Sequence, residues 1–287
     1  MKNPAALPLV SICCITYNHA AYIAQALDSF LMQKTNFDYE IIIGEDNSSD
    51  GTQAVLEKYA KSYPEDITVV NHNPNIGAIA NQIDTFSRAR GKYIAYCDGD
   101  DFWTDPCKLQ KQVDFLEANP AYVICCHHST VINEDGQKIY EKAAPHEMEF
   151  SYMDLLLGIR EETRSGSLMV RNDHYVNAVG KLDWYSQTYG TDLLFKLYIL
   201  SVTQQKIYVM PDVMACYRIH KGGIWSMIDG KVRKSRMISD FNIMVNNFDY
   251  PTAARRSLLR IYLQKYLLFE LRYLKLNNAF TTLSNLF

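Results

Sequence analysis

The segment Asp98-Gly99-Asp100 places two carboxylates on either side of a glycine, directly after the apolar run of residues 92–97. Carboxylate oxygens suit Mg²⁺ and Mn²⁺, and both cations keep coordination positions free for the oxygens of a diphosphate. A cation held there would neutralise the charge that develops on a departing phosphate. The spacing therefore predicts a Mn²⁺ or Mg²⁺ site, although the same residues could form only a solvated turn or a helix cap.

Polar residues also follow the three earlier apolar runs of the chain. Thr16, Tyr17 and Asn18 follow the first run, Asp46 follows the second, and Asn75 follows the third. A buried carboxylate is costly unless a ligand or a backbone N–H group meets it, so Asp46 could accept a hydrogen bond from a nucleotide base. The alternative for this residue is an Asx turn. One such loop is common by chance, whereas four in succession indicate a binding edge.

The elements that would hold these loops alternate along the first half of the chain. The sequence predicts strands over residues 10–17, 39–44, 67–71, 92–97 and 121–127, and helices over 20–33, 50–63, 77–89 and 106–118. This alternation predicts an α/β fold with a mostly parallel central sheet and helices on both faces. In such sheets ligands bind beyond the carboxyl ends of the strands, which is where the polar loops fall.

The regular alternation ends near residue 135. We expect short strands over 164–171, 208–210 and 214–218, and a helical stretch over 231–287 that includes one helix over 254–276. Residues 231–287 hold ten Lys and Arg against three Asp and Glu, whereas residues 1–230 hold 19 against 29. This charge asymmetry indicates two parts with different tasks.

Composition narrows the class of protein. The chain has 287 residues, of which 48% are hydrophobic and 21% charged, as in an ordinary globular protein. The net charge of −3 gives no argument for nucleic-acid binding, and we expect no nucleic-acid partner. Four of the seven cysteines lie as adjacent pairs in apolar runs, which is typical of buried thiols in a reducing compartment. We therefore expect a cytoplasmic protein, and the absence of a long uncharged apolar run predicts no transmembrane helix.

The order of the motifs resembles that of glycosyltransferase family 2, whose members have the GT-A fold and in bacteria commonly build surface polysaccharides. The resemblance rests on VSICCITYNHAAYIAQALDSFLMQ, EIIIGEDNSSDGT, NPNIGAIANQ and GKYIAYCDGDDFW, and it continues through TDLLFKLYIL and MACYRIHKGGIWS to about residue 226. It implies a catalytic domain over 1–230, with a nucleotide-binding half (1–130) and an acceptor half (131–230). Residues 231–287 would form a basic helical extension.

The resemblance also implies a role for each candidate residue. The nucleotide would be held by Thr16, Tyr17, Asn18, Asp46, Asn75 and Asp98. The metal ion would be held by Asp98, Asp100 and His220, although His220 could equally be a surface histidine. Asp192 would be the general base, at the start of a helix whose N-terminus stabilises a carboxylate. Contacts to the acceptor or to phosphate would come from Trp103, Arg164 and Lys221, and core packing explains Trp103 equally well.

The activity implied is an inverting, metal-dependent transfer from a nucleotide sugar, most commonly a UDP-sugar, to a saccharide or lipid-linked acceptor. The alternative is a degenerate GT-A protein that binds nucleotide or acts as a scaffold without turnover. The basic extension could contact anionic lipid at the inner face of the membrane, pack on the catalytic domain, or form a homodimer interface. Its nearly uniform apolar surface favours packing slightly.

Overall fold

The computed structural model describes residues 7–223, 228–273 and 275–286. Residues 224–226, the end of the last family-like segment, and residue 274, within the helix expected over 254–276, lie outside the described residues. The strands are β1 (Val10–Thr16), β2 (Tyr39–Glu45), β3 (Ile67–Asn71), β4 (Tyr93–Asp98), β5 (Phe102–Trp103), β6 (Tyr122–Asn133), β7 (Lys138–Tyr140), β8 (Met148–Phe150), β9 (Met169–Arg171) and β10 (Lys206–Ile219).

All the strands belong to one sheet with the order β3-β2-β1-β4-β9-β6-β10-β5, in which β7 pairs with β6 and β8 with β10. The long ladders are parallel, namely β2 with β3, β1 with β2 and β4, and β6 with β10. The short strand β9 runs antiparallel between β4 and β6 and joins the two parallel parts. The mostly parallel α/β sheet expected from the sequence is confirmed.

The helices are α1 (Ile23–Leu31), α2 (Thr52–Ser62), α3 (Ala78–Ser87), α4 (Lys108–Ala118), α5 (Tyr152–Leu156), α6 (His174–Ala178), α7 (Thr191–Thr203), α8 (Gly230–Asn247), α9 (Thr252–Tyr262), α10 (Leu268–Arg272) and α11 (Leu276–Leu286). They cover both faces of the sheet. In β1, Ile12 and Cys14 pack in the same apolar cluster as α1 and α4, whereas Cys13 packs with α3 and α7. Alternate residues of a strand point to opposite faces, so a strand covered on both faces must be apolar throughout.

The second half departs from the sequence expectation in two places. The strand expected over 164–171 is reduced to Met169–Arg171, because Ser165–Ser167 form a short 3₁₀ turn in which Ser167 donates its hydroxyl to the carbonyl of Arg164. The strands expected over 208–210 and 214–218 are one strand, β10. Its pairing with β6 shifts register between Met210 and Val213, and this bulge accommodates Pro211.

The C-terminal helices share an apolar core with the sheet. Leu258 of α9 and Ile238 of α8 are buried in the cluster that contains Ile94 of β4. The helix expected over 254–276 is found from Thr252 to Arg272, and it contains a π-helical turn at Leu263–Leu267 between α9 and α10. Among the helices of the described ranges, none combines the length and apolarity needed to cross a bilayer.

Candidate active site

The carboxyl ends of four neighbouring parallel strands form one polar edge. The register places Thr16 at the end of β1 opposite Glu45 of β2, and Glu45 opposite Asn71 of β3. On the other side of β1, Ile15 pairs with Asp98 at the end of β4. The loops after these strands therefore meet at the edge where an open α/β sheet binds its ligands.

Asp46 lies in the loop after β2 and is almost fully buried. Its Oδ1 accepts the Ile76 N–H at 2.7 Å, and its Oδ2 accepts the Gly77 N–H at 2.9 Å. The side-chain amide of Asn75 donates to the Asp46 carbonyl at 2.7 Å. Two backbone donors offset the cost of burying the carboxylate, and each carboxylate oxygen keeps a second lone pair for a ligand.

The end of β1 holds the next three predicted residues at the same edge. The hydroxyl oxygen of Thr16 is buried and has no hydrogen-bond partner in the structure. Tyr17 is 48% exposed. Asn18 has a positive φ of 56°, and its Oδ1 accepts the Ser49 N–H at 2.9 Å, which ties the loop after β1 to the loop after β2. An orphaned buried hydroxyl is costly, so Thr16 is a candidate for contact with a bound ligand.

The two aspartates of the Asp98-Gly99-Asp100 segment have different surroundings. Asp98 accepts the Tyr96 hydroxyl at 2.5 Å and the Ser165 hydroxyl at 2.7 Å. Burial, together with the charge of Asp100, raises the pKa of Asp98 to about 6. Gly99 is required between them, because a Cβ at this position would lie 2.8 Å from the Thr16 hydroxyl oxygen.

Asp100 belongs to a cluster with two histidines. Its Oδ2 lies 2.9 Å from Nε2 of His220 and 3.8 Å from Nε2 of His19, and one ligand atom from each residue lies within 4.8 Å of the others. Burial would raise the pKa of Asp100, but the hydrogen bond with His220 and the charge of His19 hold it below the ordinary value. Burial lowers the pKa of His19 and favours the neutral imidazole that can bind a metal.

His19 was not among the residues assigned from sequence, and Asp98 does not join the cluster. The available signal for His19 was its position directly after Asn18, in a loop already assigned to this edge. Asp98 was expected among the metal ligands, but it lies outside the group of ligand atoms formed by His19, Asp100 and His220, and its oxygens accept the hydroxyls of Tyr96 and Ser165. The structure therefore brings together Asp100, His220 and His19, with Asp98 beside them.

Arg218, in β10, makes two hydrogen bonds to the loop that follows β4. Its Nε donates to the Asp100 carbonyl at 3.0 Å, and its backbone N–H donates to Oδ1 of Asp101 at 2.8 Å. Burial and the charges of Asp100 and Asp98 raise the pKa of Asp101 well above its ordinary value. The arginine thus connects the end of β10, which carries His220, to the loop after β4.

Asp192 lies in the first turn of α7, as the sequence predicted for the helix start. Its Oδ2 lies 3.3 Å from the Nζ of Lys196, a fully buried lysine that also donates to the carbonyl and hydroxyl of Thr163. Burial would raise the pKa of Asp192, but the charges of Lys196 and Arg160 hold it below the ordinary value. The carboxylate is therefore ionised at neutral pH and able to accept a proton.

The remaining three candidates fall outside this cluster. Trp103 is 1% exposed and donates its indole N–H to the Gly166 carbonyl at 2.8 Å, so its ring packs in the core and cannot stack on a sugar. The Lys221 side chain is 84% exposed and lies 3.7 Å from Glu134. Arg164 pairs with Glu162 at 2.6 Å, next to the serine that binds Asp98.

Comparison with known proteins gives the family. Residues 11–180 match the model of glycosyl transferase family 2. The chain belongs to this family. An uncharacterized protein of Mycobacterium tuberculosis is 38% identical over 220 residues, which are 75% of this chain and 60% of that protein. The chain thus spans about 60% of the length of this relative.

The solved structures that resemble this family 2 member have the same GT-A fold. S. aureus TarS 1–349 in complex with UDP-GlcNAc has a TM-score of 0.65 at 18% identity, over 91% of this chain and 73% of that one. The mannosyltransferase PcManGT from Pyrobaculum calidifontis, in complex with GDP-Man and Mn²⁺, has a TM-score of 0.62 at 17% identity, over 91% and 71%. At this level of identity the likeness shows the fold alone.

Proposed function

We propose that this chain is an inverting, divalent-cation-dependent glycosyltransferase. It transfers a sugar from a nucleotide sugar, in the first instance a UDP-sugar, to a hydroxyl of a saccharide or lipid-linked saccharide in surface polysaccharide synthesis at the cytoplasmic face of the membrane. Residues 1–230 act as the catalytic domain and residues 231–287 as its helical extension. The observation that carries the proposal is the cluster of Asp100, His220 and His19 at the polar edge of the sheet.

The donor set of this cluster fits a divalent cation. One carboxylate and two imidazoles from three separate loops lie within 4.8 Å of one another, and the pKa of His19 is lowered toward the neutral form that ligates. Imidazole is a poorer ligand for Mg²⁺ than for Mn²⁺, so the set favours Mn²⁺. When bound, the cation supplies positive charge that neutralises the departing diphosphate.

The neighbouring loops supply the nucleotide contacts. The Thr16 hydroxyl is buried without a partner, and the oxygens of Asp46 have lone pairs left after binding Ile76 and Gly77. Asp98, whose pKa is raised to about 6, is ionised above that pH and accepts hydrogen bonds from ligand hydroxyls. TarS is recorded with UDP-GlcNAc and PcManGT with GDP-Man, which supports a nucleotide sugar as donor.

Asp192 acts as the general base. It takes the proton of the acceptor hydroxyl while that oxygen bonds to the anomeric carbon and the bond from this carbon to the diphosphate breaks. One displacement of this kind inverts the configuration at the anomeric carbon. Lys196 holds the Asp192 carboxylate from the interior side of α7, at 3.3 Å, and keeps it ionised for the next turnover.

The competing function is nucleotide binding without transfer. The charge of the ionised Asp192 acts on Asp98, so a proton acceptor lies within electrostatic reach of the polar edge. This favours catalysis, because a binding protein would have no use for a proton acceptor there. A nucleotide that binds tightly to the protein, with no hydrolysis or transfer of any donor, would favour the scaffold function instead.

The decisive experiment combines calorimetry with a donor screen. We expect UDP or GDP to bind more tightly with Mn²⁺ than with EDTA, and His19→Gln to weaken the Mn²⁺-dependent gain by about tenfold or more. His174→Gln, at an exposed histidine beside Asp173, is the matched control and should behave as the parent. Equal nucleotide affinity in Mn²⁺ and in EDTA would contradict the metal role.

Contact with the membrane is a second part of the proposal. The helices α10 and α11 expose Leu268 and Phe280, each 76% exposed, on a basic part of the chain that also carries Lys265 and Arg272. Apolar side chains beside cations favour anionic lipid surfaces. We expect the protein to float with anionic liposomes but not with neutral ones, and Leu268→Ser with Phe280→Ser to abolish flotation. If the protein floats with neither type of liposome, the role of α10 and α11 is to pack on the catalytic domain.

A further inference from the structure

Helix α8 contacts the loop that precedes the proposed base. The Oδ1 of Asp240, in α8, accepts the Tyr189 N–H at 2.8 Å, and its Oδ2 accepts the Gly190 N–H at 2.7 Å. Asp240 is 7% exposed. One buried carboxylate thus binds two successive backbone amides, which fixes the direction as well as the position of this short segment.

A second contact from the same helix face holds the same loop. The guanidinium carbon of Arg236, one turn before Asp240, lies 5.1 Å from the centre of the Tyr189 ring. Gly190 permits the close approach, because a Cβ at that position would lie 3.0 Å from Oδ2 of Asp240. Residues at i and i+4 share a helix face, so α8 presents both groups to the loop together.

The loop leads directly into the catalytic helix. Gly190 is the N-cap of α7, and Asp192 is the second residue of that helix. Lys196 binds the carboxylate of Asp192 directly. Asp240 of α8 binds the backbone just before Asp192, at Tyr189 and Gly190. The charge of Asp192 contributes to the raised pKa of Asp240, after burial, which places the two carboxylates within electrostatic reach of each other.

We propose that Asp240 is a positioning residue for the transfer reaction, which holds the N-terminus of α7 so that the carboxylate of Asp192 meets the acceptor hydroxyl. Helix α8 lies beyond residues 11–180, the part that matches the family model, so this element adds to the catalytic site from outside that segment. The inference rests on the proposed role of Asp192 as the base. It assigns no contact between Asp240 and the substrate.

The test compares Asp240→Asn with the parent. The side-chain amide keeps the size of the residue but turns an NH₂ group toward one of the two N–H donors, so one hydrogen bond is lost. We expect faster amide hydrogen exchange at Tyr189 and Gly190, and a kcat for sugar transfer that falls about 10- to 100-fold, since small misplacements of a reacting group cost this much. The affinity for UDP with Mn²⁺ should stay within about twofold. Asp249→Asn, which removes a carboxylate just after α8, is the matched control and should change none of these values.

A double-mutant cycle separates this inference from the function on which it rests. If Asp240 acts through Asp192, Asp240→Asn should lower kcat in the parent and cause no further loss in Asp192→Asn. Equal losses in both backgrounds, or a parent-like kcat in Asp240→Asn, would overturn the positioning role while leaving Asp192 as the base. Parent-like transfer by Asp192→Asn would instead overturn the base.

Gly190→Ala covers the case in which Asp240→Asn fails to fold. The added methyl forces the loop a few tenths of an ångström away from Oδ2 of Asp240 without removing any polar group. We expect a smaller loss of kcat in the same direction, again with unchanged UDP affinity. A folded Gly190→Ala protein with parent kcat and parent exchange at Tyr189 would contradict the inference.

Discussion

Lys108 is a fully buried cation whose effect on the stability of the protein should change between pH 7 and pH 9. Its Nζ donates to Oε1 of Gln112 at 2.8 Å and lies 3.9 Å from the centre of the Trp103 ring. An amide and an aromatic ring replace the water around the ammonium group only in part. Burial therefore lowers the pKa of Lys108 to about 7.

The size of the effect follows from this pKa and the ordinary value of 10.5. Because the unfolded chain binds the proton of Lys108 more tightly than the folded protein does, the lysine destabilises the fold by about 5 kcal/mol well below pH 7 and by about 4 kcal/mol at pH 7. Between pH 7 and 10.5 the unfolded chain binds more protons than the folded one, so stability rises with pH. The cost falls to about 2 kcal/mol at pH 9 and vanishes above 10.5.

Lys108→Met removes this titration and keeps an unbranched side chain of similar length. The variant leaves Oε1 of Gln112 without its donor, at about 1–3 kcal/mol at every pH. The attraction between the ammonium group and the Trp103 ring acts only on protonated Lys108, so it belongs to the pKa of Lys108 and is not a separate loss. Between pH 7 and pH 9 the unfolding free energy of the parent should therefore rise by about 2 kcal/mol relative to that of the variant.

Urea unfolding followed by circular dichroism at pH 7, 8 and 9 measures this shift at constant ionic strength. Lys92→Met is the matched control, because Lys92 is exposed and its hydrogen bond to Glu117 raises its pKa above 10.5. Its difference from the parent should be constant over this range. A constant difference for Lys108→Met as well would refute the argument from burial.

Three further outcomes are expected. Asp192→Asn should lower the rate of transfer by about 10²–10⁴-fold in a steady-state assay and leave UDP affinity by calorimetry nearly unchanged. Gly44→Ala should lower the urea midpoint by the equivalent of about 1–3 kcal/mol, because its Cβ would lie 1.9 Å from Oδ1 of the buried Asn81, and an unchanged midpoint would contradict this. Ser165→Ala removes a hydrogen bond that lowers the pKa of Asp98, so Asp98 should become protonated at a higher pH in the variant. The pH near 6 below which nucleotide affinity falls should therefore move upward when affinity is measured from pH 5 to 8.

The sequence by itself determined the sheet of the first half and its polar edge. Strands covered on both faces must be apolar throughout, and helices between them make the sheet parallel, so β1 to β4 could be placed within one residue at each end. Because the strands are parallel, their carboxyl ends lie at one edge of the sheet, which predicted that Thr16, Asp46, Asp98 and Asp100 lie near one another. The helix start at Asp192 was likewise a local signal.

Only the tertiary structure decided which of these side chains meet. His19, Asp100 and His220 come from the ends of β1, β4 and β10, and their contact depends on the strand order and on the length of β10 across its bulge at Pro211. For Trp103 the sequence left core packing and acceptor contact equally open, because periodicity cannot show what a two-residue strand packs against. Contacts over 50 residues apart, such as Asp240 with the loop before Asp192, arise from packing alone, since no local pattern encodes the distance between two helices.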